Sequence, residues 1–130
     1  PLYPMLDHRQ QTESARENTS PYWDSKANAL GWKLYLKNIT GEIPVYASPV
    51  LNENYKNFPP TITFTGDLDP FKDEVIEYVK KLKSAGIPVR YKLFKGGFHA
   101  FEQVIPKRDL GKKANQFHHE CFIEYFDKYM

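Results

Sequence analysis

The sequence has 130 residues, enough for one compact domain with one core, and its 41% hydrophobic content is that of a globular chain, not a disordered one. Eighteen basic residues against 16 acidic ones leave a formal net charge of +2, too weak a field to suggest nucleic acid or a membrane surface as a partner. The single cysteine, Cys121, excludes an internal disulfide and points to a cytoplasmic setting, and no run of apolar residues is long enough to span a bilayer.

In chain order, Leu2 to Leu6 is the first predicted strand. It follows Pro1 with no initiator methionine, so the chain reads as part of something longer. Residues 10–60 form a loop-rich insert with prolines at 21, 44, 49, 59 and 60, in which a helix is expected from about Asp24 to Leu36. An apolar strand, Thr61 to Thr65, follows. Next comes a helix, Phe71 to Ala85, with Val75, Ile76, Val79 and Leu82 on one buried stripe. Asp69-Pro70 marks its start, with Asp73 and Glu74 as charges near its positive end, and Gly86 and Pro88 mark its stop. A second strand, Val89 to Phe94, completes a right-handed βαβ unit over about 61–101 with its strands parallel. The last element is an amphipathic helix, about 114–130, whose Phe117, Cys121, Phe122, Tyr125, Phe126 and Tyr129 would dock on the sheet. The expected domain is a single one, 1–130.

Two polar strings follow directly on parallel strands, where open α/β sheets place their ligands. One is Gly66-Asp67-Leu68-Asp69-Pro70-Phe71; the other is Gly96-Gly97-Phe98-His99-Ala100-Phe101. Asp69 and His99 are 30 positions apart, yet the ends of neighbouring strands are neighbours in space. A carboxylate beside an imidazole can fix its tautomer and stabilise its charged form while the imidazole shuttles a proton for a serine. Alone, Asp69 reads as a helix cap and His99 as a structural histidine, and at adjacent strand ends a hydrogen bond between them is geometrically plausible. Gly96-Gly97 reads as slack that lets His99 reach the site, and Asp67 as a loop residue. His118-His119-Glu120 is a weak metal candidate, because adjacent helical residues point about 100° apart and no second ligand pair accompanies them.

The chain resembles the C-terminal half of hormone-sensitive-lipase-like carboxylesterases of the α/β-hydrolase fold. The resemblance is carried by Tyr3-Pro4-Met5-Leu6-Asp7, Asn28 with Gly31-Trp32 and Tyr35-Leu36, Ala47-Ser48-Pro49, the string Gly66-Asp67-Leu68-Asp69-Pro70-Phe71-Lys72-Asp73-Glu74, Ala85-Gly86-Ile87-Pro88-Val89, and Phe98-His99-Ala100-Phe101. It implies an α/β fold with three parallel strands, flanking helices and a loop-rich insert. It also implies that Asp69 is the triad acid, His99 the triad base, and Trp32 and Tyr35 contributors to substrate binding. Ala100 stands where the family usually has Gly.

No Gly-x-Ser-x-Gly occurs, and none of the serines has the flanking glycines of a nucleophile elbow. Ser48 has the right place in the chain order but precedes Pro49, which suits an elbow poorly. The expected activity is that of a serine esterase on short acyl esters, with no cofactor, in which this chain supplies acid and base but no nucleophile. A deacetylase of acetylated sugars or xenobiotics is an alternative, as is a truncated binding or assembly module. Expected partners are the acyl-ester substrate, the remaining N-terminal part of the same protein, and a second copy docking on an exposed edge strand.

Overall fold

A computed structural model describes residues 1–130. Two strands form its sheet, β1 (Thr61–Gly66) and β2 (Val89–Phe94). They run parallel, with Thr61 opposite Val89 and Gly66 opposite Phe94. Between them crosses helix α3 (Lys72–Ser84). Upstream lie α1 (Glu13–Glu17), α2 (Ser25–Tyr35) and a 3₁₀ turn, Pro49–Leu51; downstream lie α4 (Phe101–Val104) and α5 (Asp109–Tyr129).

The alternation of side chains along a strand decides what each face of β1 buries. Phe64 points into a core with Phe94, Phe101 and Ala114, on the side covered by α4 and the start of α5. Leu6, Phe71, Val75 and Val79 form a second core around α3. Thr63, Phe64 and Thr65 are all fully buried, as befits a parallel strand covered on both faces. Phe64 is the side chain that most joins the layers: its ring meets those of Tyr3, Phe94 and Phe101 at 5.6 to 6.0 Å. Truncating such a residue to alanine costs about 3–5 kcal/mol.

Local signals set the helix limits. Asp24 caps α2, its carboxylate accepting the Ala27 N–H at 2.8 Å. At the other end of α3, Gly86 takes φ +78 and the Ile87 N–H returns to the Leu82 carbonyl at 3.0 Å, the bond pattern of a glycine stop. Of the stripe expected on α3, Val75, Val79 and Leu82 are buried and Ile76 is half-buried.

Three expectations are corrected. The strand expected over Leu2 to Leu6 does not form, so the sheet has two strands, not three. Pro4 has no N–H to give a ladder, and Tyr3 turns to φ +33. One ladder-like bond survives, from the Tyr3 N–H to the Phe64 carbonyl at 3.2 Å, while the Leu6 and Asp7 N–H groups both go to Glu74 Oε2 at 2.7 Å. The final helix begins at Asp109, earlier than about 114. Its early glycine, Gly111, is needed where the helix crosses the preceding turn, since a Cβ there would lie 2.3 Å from the Ile105 carbonyl oxygen. Only the first part of α5 docks as expected: Ala114 and Cys121 are buried, whereas Phe122, Ile123 and Phe126 remain exposed.

The short helix α1 lies inside the loop-rich insert, where no helical period marks it in the sequence. Thr12 caps it through the Ala15 N–H, and Ser14 exchanges two hydrogen bonds with Asp73, at 2.9 and 3.1 Å, so the insert is fastened to the start of α3.

Candidate active site

Asp69 lies three residues beyond β1 and is fully buried; His99 lies five beyond β2 and keeps 21% of its side chain exposed. Their separation is 3.1 Å, from His99 Nδ1 to Asp69 Oδ2. A carboxylate accepts, so Nδ1 carries the proton and donates it, leaving the Nε2 lone pair on the far edge of the ring. The other oxygen of Asp69, Oδ1, accepts the Phe71 N–H at 2.9 Å. Asp69 is not the N-cap of α3, which falls on Phe71 without a side-chain cap bond; its two oxygens instead contact the turn before that helix and the imidazole.

The strand ends are brought together by glycine. A Cβ on Gly66 would fall 1.9 Å from the Gly97 carbonyl oxygen, and one on Gly97 would fall 2.8 Å from the Phe101 ring. That carbonyl accepts the Leu68 N–H at 2.9 Å, and Asp67 Oδ1 accepts the Gly96 N–H at 2.7 Å. Gly97 is thus a close-packed joint, correcting the expectation of slack, and Asp67 is the residue that pins the second loop to the first. Gly96, at φ +78, supplies the turn.

Three aromatic rings surround the imidazole: Tyr3 edge-on at 4.8 Å, Phe71 at 5.1 Å and Trp23 at 5.9 Å. Tyr22 stacks on Phe98, the residue before His99, at 5.3 Å. None of these was singled out as a site residue in the sequence. Their one local signal is Tyr22-Trp23 placed directly before the Asp24 cap. Trp32 and Tyr35 are elsewhere, on a cleft of about 280 Å³ that they share with Met5, Gly31, Tyr46, Ala47 and Pro49. Trp32 is 3% exposed and meets His8, while Tyr35 is 59% exposed. Trp23 touches both regions, its ring packing on Gly31 as well as His99.

Ser48 is fully buried. Its hydroxyl lies 2.7 Å from His8 Nδ1, accepts the His8 N–H at 3.2 Å and reaches the Leu6 carbonyl at 3.2 Å. This is a cross-link between two loops with no room for an electrophile. Glu74 is also more than a helix-start charge: burial, opposed by its two backbone hydrogen bonds, pushes its carboxyl up to about 8.

A model of the alpha/beta hydrolase fold matches residues 1–103. The chain belongs to the α/β-hydrolase fold family. Several of its relatives there are named as esterases, in keeping with the resemblance to the hormone-sensitive-lipase-like type. An arylesterase of Saccharolobus solfataricus is 30% identical over 71 residues, 55% of this chain and 23% of that protein. A versiconal hemiacetal acetate esterase of Dothistroma septosporum is 37% identical over 49 residues, 38% of this chain and 15% of that protein. Among solved structures, a bacterial heroin esterase superposes with a TM-score of 0.81 at 31% identity, covering 87% of this chain and 37% of that one. The chain thus spans well under half the length of the α/β hydrolases it matches. None of its helices is long and apolar enough to cross a membrane.

Proposed function

We propose that these residues supply the acid and the base of a serine carboxylesterase acting on short acyl esters. The Asp69–His99 contact at adjacent strand ends carries this reading. With Nδ1 held by Asp69, His99 Nε2 takes the proton of an attacking serine hydroxyl and returns it to the departing alcohol oxygen; a second cycle with water releases the acid. Asp69 holds the tautomer and stabilises the imidazolium without taking the proton itself. Because no Gly-x-Ser-x-Gly is present, the nucleophile and the oxyanion donors come from outside these 130 residues. Trp32 and Tyr35 are proposed to meet the substrate from the cleft they share, and Trp23 links that cleft to His99. A deacetylase uses the same pair and differs only in the pocket.

The same reading assigns the chain its partners. Leu30, Leu34, Tyr35, Val45 and Tyr46 on one side, and Phe122, Ile123 and Phe126 on another, are exposed apolar side chains of the sort that association buries. The outer edge of β2 has no partner strand in the sheet. Docking of the N-terminal part of the same protein completes the triad; pairing of two copies covers the surface without completing it. Light scattering at low micromolar concentration checks this, and a stable, cooperatively unfolding monomer contradicts it. Cys121, free and buried, suits the cytoplasm.

The deciding experiment uses a serine-directed phosphonate. The full-length protein should be labelled stoichiometrically at a serine outside residues 1–130, and the chain alone should be neither labelled nor show a burst with p-nitrophenyl acetate. Labelling of the isolated chain at any serine, Ser48 included, would overturn the proposal.

A further inference from the structure

We infer that Tyr3, anchored by Glu102, is a positioning residue for His99. The inference rests on the assignment of His99 as the base and goes further by naming a second residue that holds its ring.

Tyr3 is tied at three points. Its N–H donates to the Phe64 carbonyl in β1 at 3.2 Å, its ring meets Phe64 at 5.7 Å, and its phenol donates to Glu102 Oε1 at 2.5 Å while accepting from Gln103 Nε2 at 2.8 Å. Glu102 and Gln103 lie in α4, the helix that starts two residues after His99. The ring so fixed stands edge-on to the imidazole at 4.8 Å and 72°.

Two features mark this arrangement as more than filling. Tyr3 is held at φ +33, a left-handed value that disfavours a bulky residue and persists only where surrounding contacts enforce it. Glu102 is 3% exposed, and the Tyr3 hydroxyl is its one side-chain partner, since Oε2 has none. A carboxylate buried for a single hydrogen bond is a poor device for stability, where an apolar pair of the same shape does as well. It is a good device for direction: the hydrogen bond specifies where along the α4 turn the phenol must sit, and hence which face of His99 its ring closes. Asp69 fixes one nitrogen of the imidazole; Tyr3 stops rotation about that bond.

The stability and positioning roles separate in a double variant. Tyr3→Phe alone strands the Glu102 carboxylate, so it should lower stability and loosen His99 together. Tyr3→Phe with Glu102→Leu removes both polar partners and should recover stability. If the pair positions His99, the double variant still releases the ring. The readout is the tautomer ratio of His99 in the histidine-labelled full-length protein, by long-range proton–nitrogen correlation. The wild type should show the Nδ1–H form in large excess, with the Nε2–H form a small but measurable fraction. The double variant should raise the Nε2–H fraction on the order of fivefold, the factor expected from one net hydrogen bond. Glu102→Gln, which keeps an acceptor for the phenol, should retain the wild-type ratio. A double variant with recovered stability and an unchanged ratio overturns the inference, as does a ratio shifted equally by Glu102→Gln. This measurement uses no turnover, so it can fail while His99 remains the base. Conversely, full turnover of a full-length His99→Ala protein would remove the base role without touching the tautomer result.

Discussion

Asp69 serves His99 and α3 with different oxygens: Oδ2 receives the imidazole Nδ1–H at 3.1 Å and Oδ1 the Phe71 N–H at 2.9 Å. The two duties can be pulled apart by Asp69→Asn. The amide oxygen can still accept from Phe71, so the start of α3 should lose no more than a few tenths of a kcal/mol. The amide NH₂ then faces Nδ1 and forces the proton onto Nε2, where the base needs a lone pair. On the proposed mechanism kcat of the full-length protein falls roughly 10⁴-fold with little change in unfolding midpoint. Asp69→Ala should lose both, adding about 1 kcal/mol of destabilisation. Steady-state kinetics beside urea unfolding checks the split; equal stability losses with unchanged kcat would refute it.

Ala100 sits at φ +58, ψ +25, directly after His99. A left-handed alanine is strained by its Cβ by about 1 kcal/mol, and glycine is not. Ala100→Gly should therefore raise stability by up to about that amount, less the extra freedom it gives the unfolded chain. Urea unfolding at neutral pH tests this, and a clear loss of stability would show that the Cβ makes a contact worth more than the strain.

Glu74 gives the chain a pH dependence of definite sign. Its carboxyl is raised by burial from 4.5 to about 8. The folded state therefore holds a proton that the unfolded state has released between those values. The associated stability is fully present below about pH 4.5 and is lost as pH rises through about 8. Glu74→Gln, which keeps an acceptor for the Leu6 and Asp7 N–H groups, should flatten this fall between pH 5 and 8 and leave the variant the more stable protein at pH 8. Urea midpoints across that range check it; a parallel fall in both proteins assigns the dependence elsewhere.

Where physics is local, the sequence was a good guide. The limits of α2, α3 and β2 follow from Asp24, Asp69-Pro70 and Gly86, which act within a turn of their own positions. The pairing of Asp69 with His99 follows from two adjacent strands and needs no other long-range knowledge. What could not be read is what lies across the chain. Trp23 reaches His99 only because the insert folds back over the site, and Tyr3 because the start of the chain is tied to Phe64 and Glu102. The insert is fastened over the site by the Ser14 and Asp73 exchange and by Asn18 and Ser20, which both donate to the Leu68 carbonyl. The apolar look of Leu2 to Leu6 suggested a strand because composition does not reveal that Glu74, 68 positions away from Leu6, takes the backbone donors a ladder would need.

The central claim is that His99 is the proton carrier of an esterase, and one substitution tests it most directly. In the full-length protein, His99→Ala should lower kcat for p-nitrophenyl acetate by roughly 10⁴- to 10⁶-fold, with KM little changed and the fold intact by circular dichroism. A folded His99→Ala protein that turns over at near the wild-type rate would contradict the account.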